Sequence, residues 1–97
     1  MVRDYEALYI LDPALGEEET TEQIERFRQF VESHAGTVES AARWERRKLA
    51  YEIKGNREGN YVLMTFKGGP NLPGELDRAF KLAEPVLRGL ITKPGEA

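Results

Sequence analysis
The sequence predicts an α+β sandwich of order βαββαβ, with a four-stranded antiparallel sheet and two helices on one face. Three observations predict it. Residues 4–11, 37–53, 61–67 and 86–93 read as strands, rich in β-branched and aromatic residues and bounded by Gly, Pro and Asn. Residues 17–35 and the stretch after Asn71 instead repeat their apolar residues at helical spacing. Right-handed crossovers then set the first and third strands side by side in the middle of the sheet.

In the first strand Tyr5, Ala7, Tyr9 and Leu11 form one face, and Leu8 and Ile10 fall on the other. Apolar groups on both faces mark a central strand. Asp12-Pro13-Ala14-Leu15-Gly16 ends it in a turn. The first helix carries Ile24, Phe27, Val31 and His34 or Ala35 on its inner stripe. Glu17, Glu18 and Glu19 suit the positive end of its dipole, and Gly36 falls where a left-handed residue stops a helix. His34, the one histidine, fits either an imidazole base or a contact with the terminal carbonyls or water.

The second strand is long, with a bulge expected at Ala41-Ala42. Leu49, Tyr51 and Ile53 recur with period two, the pattern of a half-buried face, which puts Trp44, Arg46, Lys48 and Ala50 on the open face. Two cations and an indole suit a grip on phosphate and stacking on a base. They equally suit an edge strand protected against aggregation. Residues 54–60 read as a polar hairpin loop with two glycines. In the third strand Val62, Met64 and Phe66 oppose Tyr61, Leu63 and Thr65. Gly68-Gly69-Pro70 breaks it. Asn71 is expected to cap the second helix, with Pro73 in its first turn. Leu76, Ala79, Phe80 and Ala83 form the inner stripe of that helix, Pro85 ends it, and residues 94–97 are expected to fray. Ile24, Phe27, Val31, Val62, Met64, Phe66, Leu76 and Phe80 are expected in the core. This is the ferredoxin-like arrangement.

A chain of 97 residues is expected to form one domain over 1–97. Without cysteine there is no disulfide frame, thiolate metal site or thiol nucleophile. Apolar runs are too short to span a bilayer, and Met1-Val2-Arg3-Asp4 lacks a signal peptide's apolar stretch, so a soluble cytoplasmic protein is expected. A net charge of −3 argues against a general polyanion binder. The charges are nevertheless segregated. Glu17, Glu18, Glu19, Glu22 and Glu25 stand together without a cation, whereas Arg43, Arg46, Arg47, Lys48 and Lys54 face only Glu45 and Glu52 within residues 43–54.

Two helices cover only one face of a sheet. Leu8, Ile10, Tyr61 and Leu63 should therefore form an apolar patch on the other, as at an interaction site, unless a bulge reverses the alternation. Three function classes suit the fold. An RNA-recognition sheet would carry its aromatic motif on the third strand, but Glu58-Gly59-Asn60-Tyr61-Val62-Leu63-Met64-Thr65 matches it only at the glycine. An acyl-phosphate hydrolase or ligand-sensing domain would need a phosphate-cradling loop and a reachable arginine. Asp12 to Gly16 holds no cation, and no catalytic or metal-ligating set occurs elsewhere. No metal, cofactor or small-molecule substrate is expected. The third class is a non-catalytic module that binds protein and RNA together.

The segment Trp44-Glu45-Arg46-Arg47-Lys48-Leu49-Ala50-Tyr51-Glu52-Ile53-Lys54 resembles the signature W-G-x-R-x-L-A-Y-x-I-K of bacterial ribosomal protein six of the small subunit. Tyr5-Glu6 with Tyr9-Ile10-Leu11-Asp12-Pro13 resembles that family's first strand, and Gly59-Asn60-Tyr61 with Phe66 its third. The likeness covers residues 3–93. It departs at Glu45, where the family commonly has glycine, and at Glu52, where proline is frequent. The resemblance implies a structural protein of the ribosome. It would pair with small-subunit ribosomal protein eighteen and bind the central domain of the small-subunit RNA, with a basic partner supplying much of the phosphate contact. By position, Arg3 and Arg88 match basic residues that the family sets against RNA, and Arg46, Arg47 and Lys54 are further candidates. Arg3 and Arg88 are expected along one edge region, since their strands are antiparallel neighbours.

Overall fold
The computed structural model describes residues 2–93, apart from the side chain of Trp44. The expected frayed tail at 94–97 and the stacking indole of Trp44 lie outside the described residues. Six elements follow in order: β1 (Arg3–Leu11), α1 (Glu17–Ser33), β2 (Thr37–Ile53), β3 (Asn56–Gly68), α2 (Leu72–Leu82) and β4 (Val86–Thr92). The strands pair antiparallel in the order β2-β3-β1-β4, with β1 and β3 central as the crossovers require. The fold is the expected ferredoxin-like sandwich.

Alternation along β1 and β3 sends Tyr5, Ala7, Tyr9, Leu11, Val62, Met64 and Phe66 into one core beneath both helices. Tyr9 is the meeting point. Its ring centroid lies 5.2 Å from Phe27 of α1 and 4.8 Å from Phe80 of α2, and those two rings are 4.8 Å apart. Both helices therefore converge on one sheet face. Seven of the eight expected core residues are buried; Ile24 is half-buried against the cluster. The stripe of α1 runs through Thr20, Phe27 and Val31 and does not extend to His34 or Ala35, which are exposed.

The end of α1 departs from expectation for a packing reason. Ala35, not Gly36, takes the left-handed conformation, with φ 61°. The Ala35 N–H donates to Glu32 O at 3.3 Å and the Gly36 N–H to Val31 O at 2.9 Å, the paired bonds of a Schellman end. Gly36 serves close approach instead: a Cβ there would stand 2.6 Å from Val31 Cγ1 and 2.8 Å from Leu72 Cδ2. At the other end of α1 the Glu19 carboxylate accepts the Gly16 N–H at 3.4 Å. Asn71 precedes α2 but makes no side-chain cap.

Strand β2 is as long as expected but bulged elsewhere. Ala41 and Ala42 stay in register with Met64 and Leu63, whereas the extra residues are Glu39, Trp44 and the stretch 49–52. The bulge at Trp44 reverses the faces. Glu45 and Arg47 now share the open face with Tyr61, while Arg46 and Lys48 sit on the other side. The stretch opposite Arg57 bows out of register, so of the expected half-buried face Leu49 and Ile53 are half-buried and Tyr51 is exposed. The loop expected at 54–60 contracts to Lys54-Gly55, at φ 50° and 82°, closed by the Ile53–Asn56 pair. Positive φ at both positions suits a tight hairpin. Gly59 accordingly lies inside β3, where its missing side chain leaves room for the Ile10 side chain.

Candidate protein and nucleic-acid interface
Register builds the open face in rows. Ala42, Leu63, Leu8 and Leu90 are successive partners across all four strands. At strand spacings of about 4.8 Å this apolar row is roughly 14 Å long. On one side lies the polar row Ser40, Thr65, Glu6 and Thr92, with Ser40 and Thr65 hydroxyls 2.9 Å apart. On the other lie Glu45, Tyr61, Ile10 and Arg88.

Of the expected patch, Leu8, Tyr61 and Leu63 are partly exposed, but Ile10 is only 8% exposed. It nests over Gly59, close to Leu87, so it supports the patch from below rather than presenting itself. The residue that the sequence reading missed is Leu90, 58% exposed at the edge of the row. Alternation from Arg88 across Gly89 could have found it.

The candidate cations are dispersed. Arg3 is paired with Gly68 at the start of β1, whereas Arg88 is paired with Ile10 near its end. Seven residues of extended chain, at about 3.3 Å each, separate them by roughly 23 Å, and alternation assigns them to opposite faces. They do not share an edge region. Arg46 Nη2 meets Glu58 Oε1 at 2.8 Å, and Arg47 Nε meets Glu45 Oε1 at 2.5 Å while its guanidinium lies 6.0 Å from the Tyr61 ring centre. Carboxylates on the protein thus neutralise both.

Lys54 and Arg88, far apart in sequence, do come together. The hairpin tip reaches across to β4, where Lys54 Nζ donates to Val86 O at 3.3 Å. Arg88 donates to the Tyr51 hydroxyl, and its guanidinium lies 5.8 Å from the centre of that ring. Lys81, in the last turn of α2, is held 3.0 Å from Asp77. Lys81 is not among the residues that the sequence pattern singles out.

His34 takes the second of its two expected roles. Its Nδ1 is 2.8 Å from the Phe30 carbonyl, its ring stacks on Phe30 at 4.1 Å, and Nε2 lies 3.6 Å from Glu75. Among the described residues no three His, Cys, Asp or Glu side chains are grouped to hold a metal ion, and no helix is long and apolar enough to cross a membrane.

The chain is a ferredoxin-like sandwich with an apolar row across the sheet face that the helices leave uncovered. The family model for ribosomal protein S6 matches residues 4–93. A protein of Clostridium novyi (strain NT) named small ribosomal subunit protein bS6 is 45% identical over 93 residues, covering 96% of this chain and 98% of that one. A protein of the same name from Clostridium kluyveri is 45% identical over 89 residues, with 92% and 94% covered. The crystal structure of 30S ribosomal protein S6 from Thermotoga maritima superposes with a TM-score of 0.87 at 29% identity, covering 96% of this chain and 88% of that one. The chain belongs to the ribosomal protein S6 family. These relatives are named as ribosomal proteins, and the chain is not an enzyme.

Proposed function
We propose that the chain is a structural component of the small ribosomal subunit in the cytoplasm. It docks small-subunit ribosomal protein eighteen on its open sheet face and, as that pair, binds the central domain of the small-subunit RNA. The observation that carries this reading is the row Ala42, Leu63, Leu8 and Leu90, which no helix covers. Exposed apolar surface of this kind on a monomer is characteristic of a protein interface. Ile10 and Tyr61 back and border the row. Arg88 and Arg3, at opposite ends of the sheet, serve as separate phosphate contacts. An acidic chain at net −3 has little general attraction for RNA, so the RNA affinity belongs to the pair. Glu58 and Glu45 neutralise Arg46 and Arg47 and leave these a minor part.

Leu63→Asp tests the docking face. Titration calorimetry with purified protein eighteen should show affinity falling at least tenfold, while thermal unfolding stays cooperative. An unchanged affinity in a folded variant would remove the open face from the interface.

A further inference from the structure
We propose that the furrow between α1 and α2 is a second docking site, and that its occupant is an acidic amphipathic segment of a partner protein. The furrow lies on the helical side of the sandwich, so it stands apart from the docking of protein eighteen on the open sheet face. Arg26, Phe30 and Ser33 line it from α1, and Glu75, Arg78 and Leu82 from α2. Each set runs from i to i+7 at the spacing that keeps side chains on one helix face. The helices follow β1 and β3, which are antiparallel, and so run antiparallel themselves. His34, after α1, accordingly meets Glu75 near the start of α2, with Nε2 3.6 Å from Oε2. At about 1.5 Å per residue the two stripes face each other over roughly 10 Å, two helical turns. The furrow holds about 620 Å³, within the usual range of ligand sites, roughly 300–1,000 Å³.

The lining specifies the occupant. Leu82 is 75% exposed and Phe30 is only half-buried, and the open sheet face accounts for neither. Apolar surface left bare in a groove marks a contact site. Arg26 and Arg78 stand on opposite walls, and neither makes an ion pair among the described residues. Arg28, just off the furrow, is instead held by Glu25 and Glu32 of its own helix. The Arg26 guanidinium lies 5.7 Å from the centre of the Phe27 ring, which keeps it over the furrow floor. Glu75 is the only carboxylate in the lining among the described residues, and it is turned to His34. Two unneutralised guanidiniums flanking an apolar furrow, on a chain of net −3, are complementary to carboxylates flanking apolar anchors. The fork of an arginine matches a carboxylate with two parallel hydrogen bonds. A groove between two helices is filled by a third, whose anchors at i, i+4 and i+7 span the same two turns.

The test uses the full chain, alone and paired with protein eighteen. The probe is a synthetic acidic peptide of about four helical turns, with leucines at i, i+4 and i+7 and glutamates beside them. Fluorescence anisotropy measures its affinity and amide NMR locates it. It should bind saturably, less tightly at high salt, and shift the amides of residues 26–33 and 75–82. Arg78→Glu and Leu82→Asp, both at exposed positions, should each weaken binding by about tenfold or more with unfolding still cooperative. Arg28→Glu, which changes net charge as much as Arg78→Glu, should leave binding unchanged, as should Leu63→Asp and the presence of protein eighteen. A peptide with lysine in place of every glutamate should not bind. Absence of saturable binding overturns the proposal, as do shifts confined to the open sheet face. Equal binding of the lysine peptide would mean apolar adhesion without charge selection, and an equal loss in Arg28→Glu would mean long-range charge and no site. An RNA fragment that shifts the same amides and displaces the peptide would assign the furrow to nucleic acid and overturn the protein occupant.

Discussion

Phe80 of α2 lies directly on the bare backbone of Gly89 in β4. A Cβ added at Gly89 would stand 2.5 Å from Phe80 Cδ2 and 2.9 Å from Cγ. The same ring contacts Tyr9 and Phe27, so it cannot retreat without disturbing the core junction. Gly89→Ala should therefore destabilise the fold by about 1–3 kcal/mol through overpacking. Urea denaturation measures it. A loss below about 0.5 kcal/mol would mean that α2 shifts freely over β4.

Ala35 holds the left-handed end of α1 without glycine's freedom. The strain of that conformation, about 1–2 kcal/mol for a residue with a Cβ, exceeds glycine's extra unfolded-state entropy of about 0.5–1 kcal/mol. Ala35→Gly should thus stabilise the protein by about 0.5–1 kcal/mol, visible as a higher denaturation midpoint. Gly36→Ala should do the reverse, because its Cβ meets Val31 and Leu72. If both changes were neutral, the Schellman assignment would be wrong.

That pair of residues shows where the sequence was legible and where it was not. Period-two and 3.6-residue patterns suffice to place all six elements, because burial on one side enforces them. The alternation of Leu8 and Leu63 against Tyr9 and Met64 held because β1 and β3 run unbulged against each other. Glu39 and Trp44 broke the alternation in β2, and no local composition announces a bulge. Gly59 looked like a turn residue, yet it is there to admit Ile10. A glycine required by a distant neighbour reads the same as one required by φ. The cations failed for a related reason. Whether Arg46 is available or spent on Glu58 depends on cross-strand register, and the meeting of Lys54 and Arg88 depends on the hairpin tip reaching β4.

Tyr9 is fully buried, and its hydroxyl has no hydrogen-bond partner among the described residues. Leaving such a group unpaired costs about 1–3 kcal/mol. Tyr9→Phe keeps the three-ring junction and should leave stability unchanged or raise it by about 1 kcal/mol. Burial also pushes the phenol well above its ordinary 10.0. The raised value means that the unfolded tyrosine releases its proton first, so stability is present below 10.0 and falls as pH rises past it. One unit above 10.0, this residue alone removes about 1.4 kcal/mol. The advantage of Tyr9→Phe over the parent should therefore widen in alkaline denaturation curves. A parallel pair of curves would mean that the hydroxyl is solvated.

Leu90 and Leu82 are both far out in solvent, at 58% and 75% exposure, and they offer a matched comparison. Leu90 sits on β4 at the end of the open row beside Leu8. Leu82 closes α2 on the helical side, beside Arg26, Phe30 and Arg78. Substituting either by Asp removes little buried area, so each should change stability by no more than about 0.5 kcal/mol. Their effects on assembly should diverge. Leu90→Asp puts a carboxylate into the apolar row, where a docked partner would have to desolvate it without a counter-charge, and affinity for protein eighteen should fall at least tenfold. Leu82→Asp should leave that affinity unchanged, since the helices stand between it and the row. Measured side by side by calorimetry, equal losses would assign the effect to net charge. A loss confined to Leu82→Asp would move the interface to the helical face and leave the open sheet face without its proposed partner.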